Sequence, residues 1–124
     1  MIEEEYKIYV EFLGFKDGRP NWKIVNPFHI DCGDRTYLIE GGFETDFASI
    51  PPYFYWFAAP SAGEWLHASI LHDWMYENTH DRKVADRVFR QKMKEDGVNF
   101  VRRNIMYFAV RLFGADGFGP KEGS

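Results

Sequence analysis

The hydrophobic pattern changes period once along the chain. Up to about residue 50, short apolar runs are broken by turn signals, the pattern of an antiparallel meander. Ile8, Val10 and Phe12 alternate with Lys7, Tyr9 and Glu11, a period of two that sends like residues to one face of a strand. Asp17-Gly18 follows as a hairpin turn, because glycine accepts the positive φ that tight hairpins need. A second strand is expected over Trp22 to Val25, resuming at Phe28 and Ile30 after the break at Pro27. Cys32-Gly33-Asp34 turns the chain again, Thr36 to Ile39 forms the next strand, and Glu40-Gly41-Gly42 the next turn. Phe43 to Phe47 is the last expected strand, ended by Pro51-Pro52.

From about residue 64 the period becomes helical. Glu64 to Asn78 contains no glycine or proline and places Trp65, Ala68, His72, Met75 and Tyr76 near one face. Asp81 is a natural N-cap for a second helix, whose apolar stripe is Val84, Ala85, Val88, Phe89 and Met93 and whose stop is Gly97. A third helix is expected from about Phe100 to Phe113. It is apolar on most sides, which predicts the central, buried position, and its polar line is Arg103, Tyr107 and Arg111. The expected fold is α+β, a short antiparallel β-meander in the N-terminal half packed against three C-terminal helices. One domain spans residues 1–124, with a glycine-rich, frayed tail over about 115–124.

Composition narrows the class. Hydrophobic residues make up 45% and charged residues 27%, so the chain has enough apolar surface to fold. Aromatics reach 19% and crowd at Tyr53, Phe54, Tyr55, Trp56 and Phe57. Neighbouring side chains diverge in any regular element, so five consecutive aromatics cannot all face one core; the run is read as an interface. The net charge of −4 argues against a nucleic-acid partner. A lone cysteine, Cys32, has no internal partner, which suits a reducing cytoplasm. The N-terminus lacks the positive start and apolar run of a signal peptide, and no apolar stretch approaches the ~20 residues of a transmembrane helix.

Candidate chemistry gathers at His72-Asp73-Trp74-Met75-Tyr76 and at Asp86. On a helix, His72 and Tyr76 lie one turn apart on one face, and Asp73 sits about 100° round. A short connection sets the first two helices antiparallel, so Asp86 can approach His72 or Asp73. A histidine held by a carboxylate is a general base near neutral pH. Asp73, with Asp46 close by, could hold a divalent cation, calcium or magnesium through oxygens, or zinc with a histidine nitrogen. In the competing reading His72 is a hydrogen-bonded core residue, and Arg103 or Arg111 neutralises Asp73 or Asp86. Asp46 and Ser49 end a strand, where polar side chains cap a corner or line a pocket. Ser49 lacks the flanking glycines of a nucleophile elbow. His67 and His72, five residues apart, are a poor metal pair, and His29 and His80 read as exposed.

The order Gly-Phe-x-Thr-Asp-Phe-Ala-Ser-Ile-Pro over 42–51, Pro60-x-x-Gly63, Ala68-x-x-x-His72-Asp73-x-x-Tyr76, Arg82-Lys83-x-Ala85-Asp86 and Gly114 resembles an uncharacterised family of small bacteriophage and prophage proteins. The resemblance implies a virion component, in the tail or elsewhere in the particle, or an assembly factor. Its partners would be other particle proteins or further copies of itself, and it would be made in the host cytoplasm. His-Asp-x-x-Tyr also looks like the active-site helix of phospholipases A2. That likeness implies His72 as base, Asp86 as its orienting carboxylate, Tyr76 as a supporting hydroxyl and Asp73 as a calcium ligand. The disulfides and glycine-rich calcium loop of those enzymes are missing. The alternative function is therefore a small hydrolase, metal-assisted, acting on lipid or cell-wall bonds.

Overall fold

A computed structural model of the chain describes residues 8–16, 18–46, 62–79 and 81–113. The aromatic run Tyr53 to Phe57, Ser49, His80 and the tail from 115 lie outside the described residues.

Among the described residues, five strands precede three helices: β1 (Val10–Lys16), β2 (Arg19–Ile24), β3 (Phe28–Cys32), β4 (Arg35–Ile39), β5 (Glu44–Thr45), α1 (Ala62–Asn78), α2 (Arg82–Glu95) and α3 (Phe100–Phe113). The strands make two small antiparallel sheets, β1-β2-β5 and β3-β4. Pro27 splits the expected second strand: β2 stays with β1, and Phe28 opens a separate hairpin with β4. Cys32 pairs with Arg35 across the two-residue turn Gly33-Asp34, where Gly33 takes φ 64°. The last strand does not continue along the meander. Thr45 and Glu44 return to Trp22 and Lys23, which brings the chain back beside β2 just before the helical half.

The core has two parts that meet at α1. Ile70, Leu71, Met75 and Tyr76 pack with Ile24, Ile30, Ile39, Phe43 and Ala85, joining α1 to both sheets and to α2. Trp65 and Ala68 pack with Phe89, Met93, Val98, Met106 and Val110, joining it to the other two helices. Every residue from Ala68 to Asp73 is buried. The central helix is thus α1, and the expectation that the third helix holds that place is corrected. Among the residues of α3 whose burial is described, only Met106, Ala109 and Val110 are buried, while Val101, Phe108 and Leu112 stand 63%, 57% and 73% exposed. The expectation failed because it equated burial with apolarity. Three of the buried α1 residues, Ser69, His72 and Asp73, are polar and gain burial through hydrogen bonds.

The α2 ends form as its sequence requires. Asp81 sits in an extended conformation and its carboxylate accepts the Lys83 amide at 2.9 Å. Gly97, at φ 91°, turns the chain out of the helix.

Candidate functional site

His72 and Asp73 are neighbours in sequence but serve two different contacts, because consecutive helical residues point about 100° apart. His72 faces α2 and Asp73 faces the end of β5.

His72 is 1% exposed and its Nε2 lies 2.6 Å from Oδ1 of Asp86, which is fully buried. Tyr76, one turn along α1, donates its hydroxyl to the same oxygen at 2.6 Å. Arg111 of α3 donates to the other oxygen, Oδ2, at 2.6 Å, and Arg82 stands 3.5 Å from it. Arg82 also donates to the carbonyls of Val110 and Arg111, at 3.1 and 3.3 Å, capping the end of α3. One carboxylate on α2 thus ties together α1, through His72 and Tyr76, and α3, through Arg111. The imidazole lies between the rings of Tyr76 and Phe89, with centroids 4.1 and 4.7 Å away.

Asp73 makes a second knot. Its Oδ2 accepts the Thr45 hydroxyl at 2.5 Å and the Asp46 amide at 3.0 Å, so α1 holds the end of β5. Asp46 is itself buried. Its charge acts on His72, so the two knots are electrostatic neighbours.

The charges can be assigned. Burial holds the His72 imidazole below its ordinary 6.5, outweighing the hydrogen bond and charge of Asp86, which pull the other way. Asp86 is also buried, but bonds from His72, Tyr76 and Arg111 together keep its carboxyl below the ordinary value. Neutral His72 beside ionised Asp86 must carry its proton on Nε2, the atom facing the carboxylate. Nδ1 is then a buried lone pair, and among the described residues it has no hydrogen-bond partner.

A pH dependence follows. The unfolded chain takes up a proton on His72 near pH 6.5, whereas the folded chain resists it. The stability due to this group is complete above that pH and declines below it, by at most about 1.4 kcal/mol per pH unit. His67, also held low by burial, adds to the same fall. The stabilisation due to Asp86 is present above its ordinary 3.8 and is lost as the pH falls below that value. Urea unfolding between pH 8 and pH 5 should show the decline, and His72→Gln should flatten part of it. An equal slope in both proteins would contradict the assignment.

The expected residues are brought together selectively. His72, Tyr76 and Asp86 meet directly, and Asp73 meets Asp46 through its backbone. Of the two arginines expected to neutralise the cluster, Arg111 does so and Arg103 does not: it bonds to the Val98 carbonyl and lies over the Phe100 ring. Among the described residues, no group of three or more His, Cys, Asp or Glu is placed to hold a metal ion. Thr45 and Arg82 stand in the motif order but receive no role from the sequence. Arg82 stands four residues before Asp86, the i, i+4 spacing of a helical ion pair, and that signal could have found it.

A cavity of about 490 Å³ lies between the β3–β4 hairpin and the first two helices, lined by Cys32, Tyr37, Trp74 and Val88 among others, and it does not reach His72. Cys32 there is buried, with its thiol pushed up to about 11 chiefly by burial, so it is unreactive at neutral pH.

Among the described residues, no helix is long and apolar enough to cross a membrane. Comparison with curated proteins and with solved structures returns no match. A family match covers residues 22–110, from the middle of β2 almost to the end of α3, and so takes in both knots except Arg111, one residue beyond it. The chain belongs to the family described as Protein of unknown function (DUF1353).

Proposed function

We propose that the chain is a component or assembly factor of a phage-type particle, and that its polar cluster is an internal brace. The phage setting rests on the motif order resembling bacteriophage and prophage proteins. The observation that carries the docking role is the apolar surface left outside the core. Val101, Phe108 and Leu112 line one side of α3, and Phe12, Leu13 and Phe15 stand 48%, 43% and 74% exposed on β1. Exposed apolar residues gathered in this way mark contact surfaces. The sealed His72 favours the same reading, since a base that must meet substrate needs access to it. Mass spectrometry of particles purified from the phage or induced prophage that encodes the chain tests this. The chain should appear at a fixed ratio to other particle proteins; absence from both particles and assembly intermediates would overturn the proposal.

The hydrolase reading has one specific observation in its favour, the Nδ1 of His72, which has no partner among the described residues. An imidazole with Nε2–H on a carboxylate and Nδ1 open is set to take a proton from water. In this reading His72 is the base, Asp86 its orienting carboxylate and Tyr76 a support. Release of fatty acid from phospholipid vesicles, or of fragments from cell walls, that His72→Gln abolishes in a folded protein would favour it.

A further inference from the structure

We infer that β1 is a self-pairing edge, on which a second copy of this chain adds its own β1 antiparallel across a twofold axis. This gives the particle reading a definite partner, and it rests on the geometry of the first hairpin. Among the described residues β1 is the outer strand of its sheet. Tyr9 bonds to Val25 through its carbonyl, so the alternation of an antiparallel ladder turns the amides of Val10 and Phe12 outward. The register shifts at Leu13, after which Phe15 lies opposite Pro20. Proline has no N–H, so that pair is not hydrogen-bonded, and the Phe15 amide also faces outward. The open edge therefore offers backbone groups at Phe12 and again at Phe15.

The sequence of this edge is complementary to its own reverse. With the axis between Leu13 and Gly14, Phe12 falls opposite the partner's Phe15, and both carry outward amides, so they form a hydrogen-bonded pair. Glu11 falls opposite the partner's Lys16, an opposite-charge cross-strand pair. Leu13 falls opposite the partner's Gly14, which has no side chain to obstruct it. Among the described residues, the Glu11 carboxylate is engaged through Oε1 by Lys23 at 3.1 Å, on an exposed site. Within one copy the rings of Phe12 and Phe15 stand edge to face at 5.5 Å, and Trp22 flanks Phe12 at 5.0 Å. Pairing would join two such clusters and cover the most exposed apolar residue of the hairpin, Phe15. Proline, one of the devices that protect a free edge, is absent from β1.

Sedimentation velocity on the full chain, from about 10 μM to 1 mM, tests this, the range in which a contact of about 1,000 Å² or less is expected to associate. The wild-type chain should pass from monomer to dimer as concentration rises. Glu11→Lys and Lys16→Glu should each weaken the dimer about tenfold, and the double reversal should recover it, because the pair is restored with its sign exchanged. Phe15→Lys should be monomeric with unchanged thermal unfolding. A monomeric wild type, single reversals without effect, or a double reversal that fails to recover would overturn the inference. None of these outcomes bears on detection of the chain in purified particles, so the two proposals fail separately.

Discussion

Asp86→Ala lowers the free energy of unfolding by about 3–5 kcal/mol, measured by urea titration at pH 7. The loss is large because one buried carboxylate accepts from groups of two other helices. Without it, the His72 Nε2–H and the Tyr76 hydroxyl are left buried and unbonded, and Arg111 and Arg82 face each other uncompensated. Asp86→Asn should recover part of the loss, since an amide oxygen can still accept while the charge is gone. Tyr76→Phe removes one donor and leaves the carboxylate satisfied, so it should cost only about 1 kcal/mol. A loss below about 1 kcal/mol for Asp86→Ala would mean that the cluster is solvated and does not brace the helices.

Phe89→Ala should cost a similar amount, about 3–5 kcal/mol, by a different route. Phe89 is fully buried among Trp65, Ala68, Met93, Val98, Met106 and Val110, and its ring also covers one face of the His72 imidazole. Truncation leaves a cavity where α1, α2 and α3 meet, and removes the cover that keeps His72 dry. The pH dependence should therefore change along with the stability: with water admitted, His72 is less desolvated and its pKa moves back towards 6.5. Phe89→Leu keeps most of the volume and should cost clearly less. If the two substitutions were equally mild, Phe89 would not be the junction of the helical core.

Much of this fold is legible in the sequence. The change of period near residue 64, the N-cap at Asp81, the stop at Gly97 and the turns at Gly18 and Gly33 are local signals, and each appears where the sequence places it. Helical spacing and a short connection bring Asp86 within reach of either His72 or Asp73; the structure takes the first, with Tyr76 on the same carboxylate as the phospholipase likeness implies. Long-range partnership is not legible. Nothing local says that Thr45 and Glu44 return to β2, or that Asp73 spends its carboxylate on Thr45 and Asp46. Those contacts depend on where two sheets sit against α1. The position of α3 was misjudged for a related reason. A helix rich in apolar residues was expected to be central, yet the chain keeps its polar residues inside on α1 and leaves Val101, Phe108 and Leu112 outside on α3. That inversion supports the docking role, since the apolar side chains are placed where a partner can reach them.

The central claim is that Asp86 and Arg111 hold α2 and α3 together as one buried brace, and a double-mutant cycle tests it most directly. Unfolding free energies are measured for the wild type, Asp86→Asn, Arg111→Met and the double variant under one set of conditions. Arg111 is 24% exposed at its side chain while Asp86 is fully buried, so solvent weakens the pair without cancelling it. The account predicts that the double variant is more stable than the sum of the single losses, with a coupling on the order of 1–2 kcal/mol. Losses that simply add, within about 0.5 kcal/mol, would show that the two side chains do not act together, and the brace would be contradicted.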